Sequence, residues 1–379
     1  MKKGWEKRRL HTLTSKIGSG ATPLGGEAAY KTVGIPLIRS LNVYDDGFRT
    51  KDLAYIDDNQ AAKLENVIVE TGDVLLNITG ASVARCCIAP KDFLPARVNQ
   101  HVSIIRPVKE SLLPEFLHYL LISRDYKNRL LAVGEDGGST RQAITKAQLL
   151  EFEIEFPPLS EQQRIVGLLD EAFASLATAQ AHAAQNLQNA RALFESCIQV
   201  EFGKDVALGE LVDIKTGKLD ANAAEEDGEY PFFTCSRETY AINNYAFDCE
   251  AVLLAGNNAV GDFNVKHYVG KFNAYQRTYV ITINSRKRAI SRYLYYQLQK
   301  NLAKFKSQSV GTGTKFLKLG MIKDMMIPLP TIPEQSRIVN QLDALAAETQ
   351  RLAQIYEQKL AALAAFKKSI LHQAFSGEL

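Results

Sequence analysis

The 379 residues hold no apolar run approaching the ~18 that a bilayer-crossing helix needs. The opening MKKGWEKRRL is basic but has no apolar segment behind it, so no secretory signal is expected. Cysteine is scarce: five residues (86, 87, 197, 235, 249), an odd set without a CxxC pair. That pattern fits structural thiols in a reducing cytoplasm, not a disulfide frame or a zinc site. The six histidines (11, 101, 118, 182, 267, 372) form no HxxxH pair and have no carboxylate at a ligand-like spacing. Catalytic signatures are missing too. A phosphate loop needs GxxxxGK[ST], and Thr216-Gly217-Lys218-Leu219 lacks both the upstream glycine and the hydroxyl residue. The GSG at 18–20 lacks the spacing of a dinucleotide turn. A DNA amino-methyltransferase would need Asn or Asp before Pro-Pro-aromatic to hold a flipped base; Phe156-Pro157-Pro158-Leu159 has neither end. No Asp/Glu-x-Lys nuclease core stands out on a strand pair.

Acidic residues are absent from one long stretch. Between Phe263 and Lys323 there are 13 Lys or Arg and no Asp or Glu, although the whole chain is only +3. The corresponding earlier stretch, Arg85 to Lys146, has 10 basic residues against 6 acidic. Segregation of this kind points to a positive face for a polyanion, with a solvated face and chance clustering as the plainer alternative.

What is present is a repeat. FPPLSEQQRIVGLLD, from Phe156, returns as LPTIPEQSRIVNQLD, from Leu329. Glu161, Gln162, Arg164, Ile165, Val166, Leu169 and Asp170 recur as Glu334, Gln335, Arg337, Ile338, Val339, Leu342 and Asp343, each pair 173 residues apart. The unit is therefore one variable globular segment followed by one long helix, used twice. Four parts follow: 1–158, a helix over 159–204, a second variable segment over 205–331, and a helix over 332–379. Prolines precede each helix; Ser160 with Gln163 reads as a capping box for the first, and Thr331 caps the second with Pro333 just inside.

Both helices carry alternating three- and four-residue apolar steps. In the last the stripe is Leu342, Leu345, Thr349, Leu352, Tyr356, Lys359, Leu363, Phe366 and Ile370. In the first it is Leu169, Ala172, Leu176, Ala179, Ala183, Asn186, Ala190, Leu193 and Cys197. This is a coiled-coil seam, and some 40 helical residues reach ~60 Å, too long for one small domain to bury. Antiparallel pairing of the two is the economical solution. The variable segments alternate strand-like runs (IPLIRSLNV, GDVLLNITG, ARVNQHVSIIRP; EAVLLAG, NAYQRTYVITI) with short helices at 112–130 and 290–307. The fold class is α+β: two mixed α/β domains joined and separated by two long antiparallel helices, with a pseudo-twofold repeat.

Arg, Asn and Gln can form paired hydrogen bonds with base edges. They gather at the ends of the strand-like runs. In the first segment these are Arg39, Asn42, Asn77, Thr79, Asn99, Gln100, Arg141 and Gln142. The second offers Asn257, Asn258, Gln276, Arg277, Thr314 and Lys315, with Arg237 and the flat rings of Tyr240, Tyr245 and Tyr275 nearby. For any one of them alone, a turn or cap is the plainer reading, and most DNA contacts go to phosphate.

The duplicated PPLSEQQRIV…LD and IPEQSRIVNQLD, the closing SILHQAFSGEL, GDVLLNITG, and the GGSTRQAI and GTGTKFL loops resemble the specificity subunit of type I DNA restriction-modification enzymes. The resemblance covers essentially the whole chain; the second copy departs with Pro333 before the Glu and Ser336 in place of a Gln. It implies that each variable segment is a target-recognition domain for one half of a split double-stranded DNA site. It also implies that two modification subunits dock on the helices, near Glu161, Gln162, Arg164, Glu334, Gln335 and Arg337, and that restriction subunits join them. No catalysis and no cofactor belong to the chain itself: S-adenosylmethionine is expected on the modification subunits, ATP and Mg on the restriction subunits. Two other readings stay open on the residues alone: a self-contained DNA-modifying enzyme with unrecognised motifs, and a coiled-coil adaptor with no DNA role.

Overall fold

A computed structural model describes residues 4–135, 143–197, 203–376 and 378. Nine helices occur among them: α1 (Asp58–Ala62), α2 (Pro114–Ile122), α3 (Arg124–Glu135), α4 (Lys146–Glu151), α5 (Leu159–Cys197), α6 (Ser291–Lys300), α7 (Leu302–Gln308), α8 (Leu319–Lys323) and α9 (Ile332–Ser376). Packing divides the chain into two units, Met1–His182 with Lys359–Leu379, and Ala183–Gln358. Each unit thus holds the start of one long helix and the end of the other, so α5 and α9 run antiparallel. In the first, Lys367 of α9 lies over the Phe173 ring of α5 at 4.8 Å. In the second, Arg191 of α5 pairs with Glu357 of α9 at 2.8 Å.

The first unit has two four-stranded sheets. Strand Val74–Asn77 shows why the apolar run Val74-Leu75-Leu76 becomes a strand between two cores, since successive side chains point to opposite faces. Val74 and Leu76 enter a core with α2 (Phe116, Leu120), Ile165 and Leu169 of α5, and Leu371 and Ala374 of α9. Leu75 enters another, with Leu37, Ile56, Val98 and Ile104. The second unit repeats the division in one six-stranded sheet. Val252 and Leu254 face α6 and Val339 of α9, while Ala251 and Leu253 face Phe233 and Phe272. Each globular segment is closed by its own end strands, antiparallel in both cases: Glu6–Arg9 with Glu153–Phe156, and Lys204–Ala207 with Met326–Leu329. The helical stretch at 112–130 is two helices, because Ser123 turns extended and its hydroxyl donates to the Leu120 carbonyl at 2.6 Å. The stretch at 290–307 likewise divides at Asn301.

The same glutamine secures both long helices. Gln162 is fully buried; its Oε1 accepts from the Leu113 N–H at 2.9 Å, and its Nε2 donates to the Ser111 and Pro157 carbonyls, both at 2.9 Å. Gln335 is equally buried and bonds the Ile290 N–H at 3.0 Å and the Arg288 and Pro330 carbonyls at 2.9 Å. Leu113 and Ile290 are the N-caps of α2 and α6, and neither has a side chain able to cap. One amide therefore joins the strand end, the packed helix and the long helix. The expectation of partner docking at Gln162 and Gln335 is corrected: neither reaches the surface. Ser160 is not the N-cap either, since α5 already starts at Leu159 and the Pro158 carbonyl accepts from Glu161 and Gln162 N–H. At α9, the Glu334 carboxylate accepts from both the N–H and the hydroxyl of Thr331.

The apolar stripe departs from the expected register. On α5, Leu169, Leu176, Ala183 and Ala190 are buried, but Asn186 and Leu193 are exposed; Leu187 and Phe194 are the half-buried residues there. On α9, Leu342 and Thr349 are buried, and Leu345, Leu352, Tyr356, Leu363 and Ile370 are half-buried. Lys359 and Phe366 are exposed, and Leu360 and Lys367 take their places. Each helix inserts one extra four-residue step, as a straight helix of 3.6 residues per turn must when a 3.5-residue stripe drifts away from its partner.

Two outcomes are expected. Gln335→Leu strands three buried backbone groups and should destabilise its unit by about 3 kcal/mol, whereas Gln163→Leu, at an exposed position, should not; thermal and denaturant melts compare them. Leu176 is 6% exposed and Leu193 is 47%. Leu176→Asp should therefore cost about 3 kcal/mol, and Leu193→Asp no more than about 0.5 kcal/mol.

Candidate nucleic-acid interface

In both units a parallel strand pair, unusual in sheets that are otherwise mostly antiparallel, delivers loops to one edge. In the first, Ile35–Ile38 runs parallel to Ala96–Val98, and the pairing continues as the Asn99 N–H donates to Ile38. In the second, Tyr230–Phe233 runs parallel to the end of Val265–Ala274, and the Tyr275 N–H donates to Phe233. A second link lies beside each pair. Thr79 bridges Ala143, and Asn257–Asn258 pairs antiparallel with Lys315–Phe316. Ala143 and Phe316 are again 173 residues apart.

The first edge brings together most of the polar residues singled out there, but uses several to build itself. Arg39 is largely buried; it donates to Glu27 Oε1 at 2.9 Å and the Asp52 carbonyl at 2.6 Å, and lies over Tyr30. Asn42 is fully buried: its Oδ1 accepts from the Arg39 N–H, and its Nδ2 donates to the Arg49 and Lys51 carbonyls. Asn77 is fully buried as well and donates to the Ser40 carbonyl at 2.9 Å. Asn99 Oδ1 accepts from the His101 N–H at 3.0 Å. These four shape loops, and their expected part in base contact is corrected accordingly: Asn42, Asn77 and Asn99 are buried and bond loop backbone, and Arg39 bonds the Glu27 carboxylate and the Asp52 carbonyl. Thr79 and Gln100 reach the rim. His101 links them, with Nδ1 2.5 Å from Thr79 Oγ1 and Nε2 3.1 Å from the Gln100 amide. Arg141 and Gln142 lie outside the described residues.

The second edge keeps more of its side chains outward. Asn258 Oδ1 accepts from the Val260 and Asp262 N–H groups at 2.9 and 3.0 Å, folding its loop. Asn257, Thr314 and Lys315 are half-exposed, and Gln276 and Arg277 are exposed. Gln276 is held by Asp220. The Arg277 guanidinium lies over Phe316 at 5.5 Å, and its carbonyl accepts from the Gly256 N–H at 2.9 Å. A Cβ at Gly256 would come within 2.4 Å of that carbonyl, so glycine is required. Neither Arg277 nor Lys315 forms an ion pair among the described residues. Arg237 does, one Nη2 donating to both Asp262 carboxylate oxygens at 2.8 and 2.9 Å. Tyr245 sits under Lys271 at 4.7 Å, and Tyr240 is exposed.

At the helix starts, Arg164 forks onto Glu161 at 2.7 and 2.8 Å, which holds the Glu161 carboxyl below its ordinary value. Arg337 is exposed and reaches Gln341 at 3.4 Å. The repeated aspartates have a role that residue spacing did not reveal. The Tyr119 hydroxyl donates to Asp170, and the Tyr296 hydroxyl to Asp343, which also takes Arg292 at 2.8 Å. Burial and then the carboxylate push both tyrosines up. Burial alone would raise Asp343, but its bonds from Tyr296 and Arg292 outweigh that and lower it. Among the described residues no cluster of three His, Cys, Asp or Glu could hold a metal ion, and no helix is long and apolar enough to cross a membrane.

Comparison with known proteins agrees with this architecture. The profile of the type I restriction modification DNA specificity domain matches residues 2–186 and 203–358. The specificity subunit of the type I restriction enzyme EcoDI of Escherichia coli is 45% identical over 176 residues, which span 46% of this chain and 38% of that subunit. The putative specificity subunit of MjaX, from Methanocaldococcus jannaschii, is 23% identical across 99% of this chain and 93% of its own. A solved structure described under complex assembly and conformational transition of the type I R-M system has a TM-score of 0.78 at 20% identity, covering 99% of this chain and 98% of that one. The HsdS subunit from Thermoanaerobacter tengcongensis scores 0.60 at 18% identity over 100% and 98%. At such identities the structures speak for the fold, and the profile, matched once in each half, speaks for the family. The chain belongs to the type I restriction-modification DNA specificity family.

Proposed function

We propose that the chain is the DNA-reading, non-catalytic subunit of a type I restriction-modification complex. Residues 1–158 and 205–331 are its two target-recognition domains, and 159–204 and 332–379 the spacer helices. Each domain reads one half of a split, asymmetric double-stranded target. Two modification (methyltransferase) subunits dock on the repeated helix starts, where Glu161, Arg164, Glu334 and Arg337 are exposed or partly exposed, and restriction subunits join through them. S-adenosylmethionine belongs to the modification subunits, ATP and Mg to the restriction subunits, and the complex works in the cytoplasm. Thr79, Gln100, Asn257, Gln276, Thr314 and the basic pair Arg277 and Lys315 face the duplex.

One observation carries this reading: an identical glutamine hook seats the same helix start in two bodies whose loop edges present different side chains, Thr79 and Gln100 on one and Asn257, Gln276, Arg277 and Lys315 on the other. Like seats select one kind of partner twice, and unlike edges select two different half-sites. Co-expression with the cognate modification subunit should yield a complex with two partner copies, and exchanging residues 10–156 for another variable segment should change one half-site only. A monomer without affinity for that subunit would count decisively against it. Arg277→Ala and Lys315→Ala should each weaken binding to all DNA sequences alike and lower the salt dependence by about one unit, measured by titration at several salt concentrations.

A further inference from the structure

The arginines at the first unit's edge are mostly neutralised from within: Arg39 by Glu27, Arg49 by Asp46 at 2.6 Å. Arg85 is different. Its guanidinium forms no ion pair or side-chain hydrogen bond among the described residues. It lies over the Tyr44 ring, 4.8 Å from the centroid, with Arg49 also over that ring at 5.2 Å. Its backbone is pinned: the Arg85 carbonyl accepts from the Asn77 N–H at 2.8 Å, and the Ala84 N–H donates to Asn77 at 2.9 Å. Buried Ala84 adopts φ 66°, a left-handed conformation that a side chain tolerates only when its surroundings enforce it. Beside Arg85 lies a recess of about 400 Å³ lined by Ser40, Thr79, Gly80, Ser82 and His101.

We infer that Arg85 is a specificity-determining residue that reads a guanine in the half-site of the first domain. Contact with the Tyr44 ring tethers the guanidinium, and its N–H groups have no side-chain or ionic partner among the described residues. Guanine presents O6 and N7 side by side, which two parallel N–H groups match. Small residues at 80–82 let a base edge enter the recess, while a phosphate contact would need neither a recess nor a pinned turn. The inference rests on the DNA-reading function proposed above and names one residue responsible for it.

The test is methylome sequencing of cells carrying the full chain with its cognate modification subunit, as wild type, Arg85→Ala and Arg85→Lys. Lysine keeps the charge and stem but loses the paired donors, so it guards against a folding artefact. Both variants should relax a single guanine-containing position by roughly ten- to a hundredfold. That position should lie in the half-site that moves when residues 10–156 are exchanged. Unchanged stringency at every position would overturn the inference alone. So would uniform weakening of all sites with a salt slope lower by about one, the mark of a phosphate contact. A wild type that modifies no bipartite motif would instead overturn the functional reading beneath it.

Discussion

A strand that ends in proline and turns straight into a long helix leaves backbone groups with nowhere to bond, and the structure rests on how those groups are satisfied. The helix has unpaired N–H groups in its first turn, and the neighbouring short helix starts at Leu113 or Ile290, which cannot cap itself. A single primary amide ties this junction together: it accepts from the Leu113 or Ile290 N–H and donates to two carbonyls, Ser111 and Pro157 in the first half, Arg288 and Pro330 in the second. Because Gln162 and Gln335 are fully buried, these bonds are made out of reach of water, and losing them leaves backbone groups unsatisfied. The direction of each long helix relative to its domain follows from this contact. The Tyr119–Asp170 and Tyr296–Asp343 bonds then fix each helix two turns farther on.

Much of this was legible in the sequence, and the reason is that a repeat is a pattern no local context can hide. Glu-Gln-x-x-Arg-Ile-Val at two places, 173 residues apart, gives the order of parts and the family without any knowledge of packing. What it does not give is the purpose of each letter. A glutamine in the first turn of a helix looks like any solvated polar residue, and only the tertiary position of Leu113 or Ile290 turns it inward. The sequence stripe keeps a strict heptad, while the helices have their own period; Phe194 and Leu360 replace Leu193 and Lys359 where the two periods part.

The candidate interface shows the same limit from the opposite side. Asn, Arg and Gln at loop ends suit base edges and backbone carbonyls equally well, because both offer paired acceptors. Asn42, Asn77 and Asn99 turned out to bind backbone, and Arg39 a carboxylate and a carbonyl. Their neighbours on the same loops, such as Thr79 and Gln100, stay at the rim. Sequence locates the loop; which member of it builds and which reads is decided by a few ångströms of depth. Arg85 lies outside the polar clusters at the loop ends and is distinguished only by the ring it lies over.

The central strands Val74–Asn77 and Phe247–Ala255 each separate two apolar layers, and the two halves of the chain agree in one layer and differ in the other. The layer against the long helices is alike in both halves of the chain: alternate residues of a Val-Leu-Leu run facing a short amphipathic helix. The outer layer is not. In the first half it is a separate sheet with its own substantial core, and in the second a small aromatic cluster within a single larger sheet. Yet the parallel strands that feed the edge belong to that outer layer. The outer wall can therefore be rebuilt, and the edge it feeds redrawn, without disturbing the inner wall or any joint it makes to the helices.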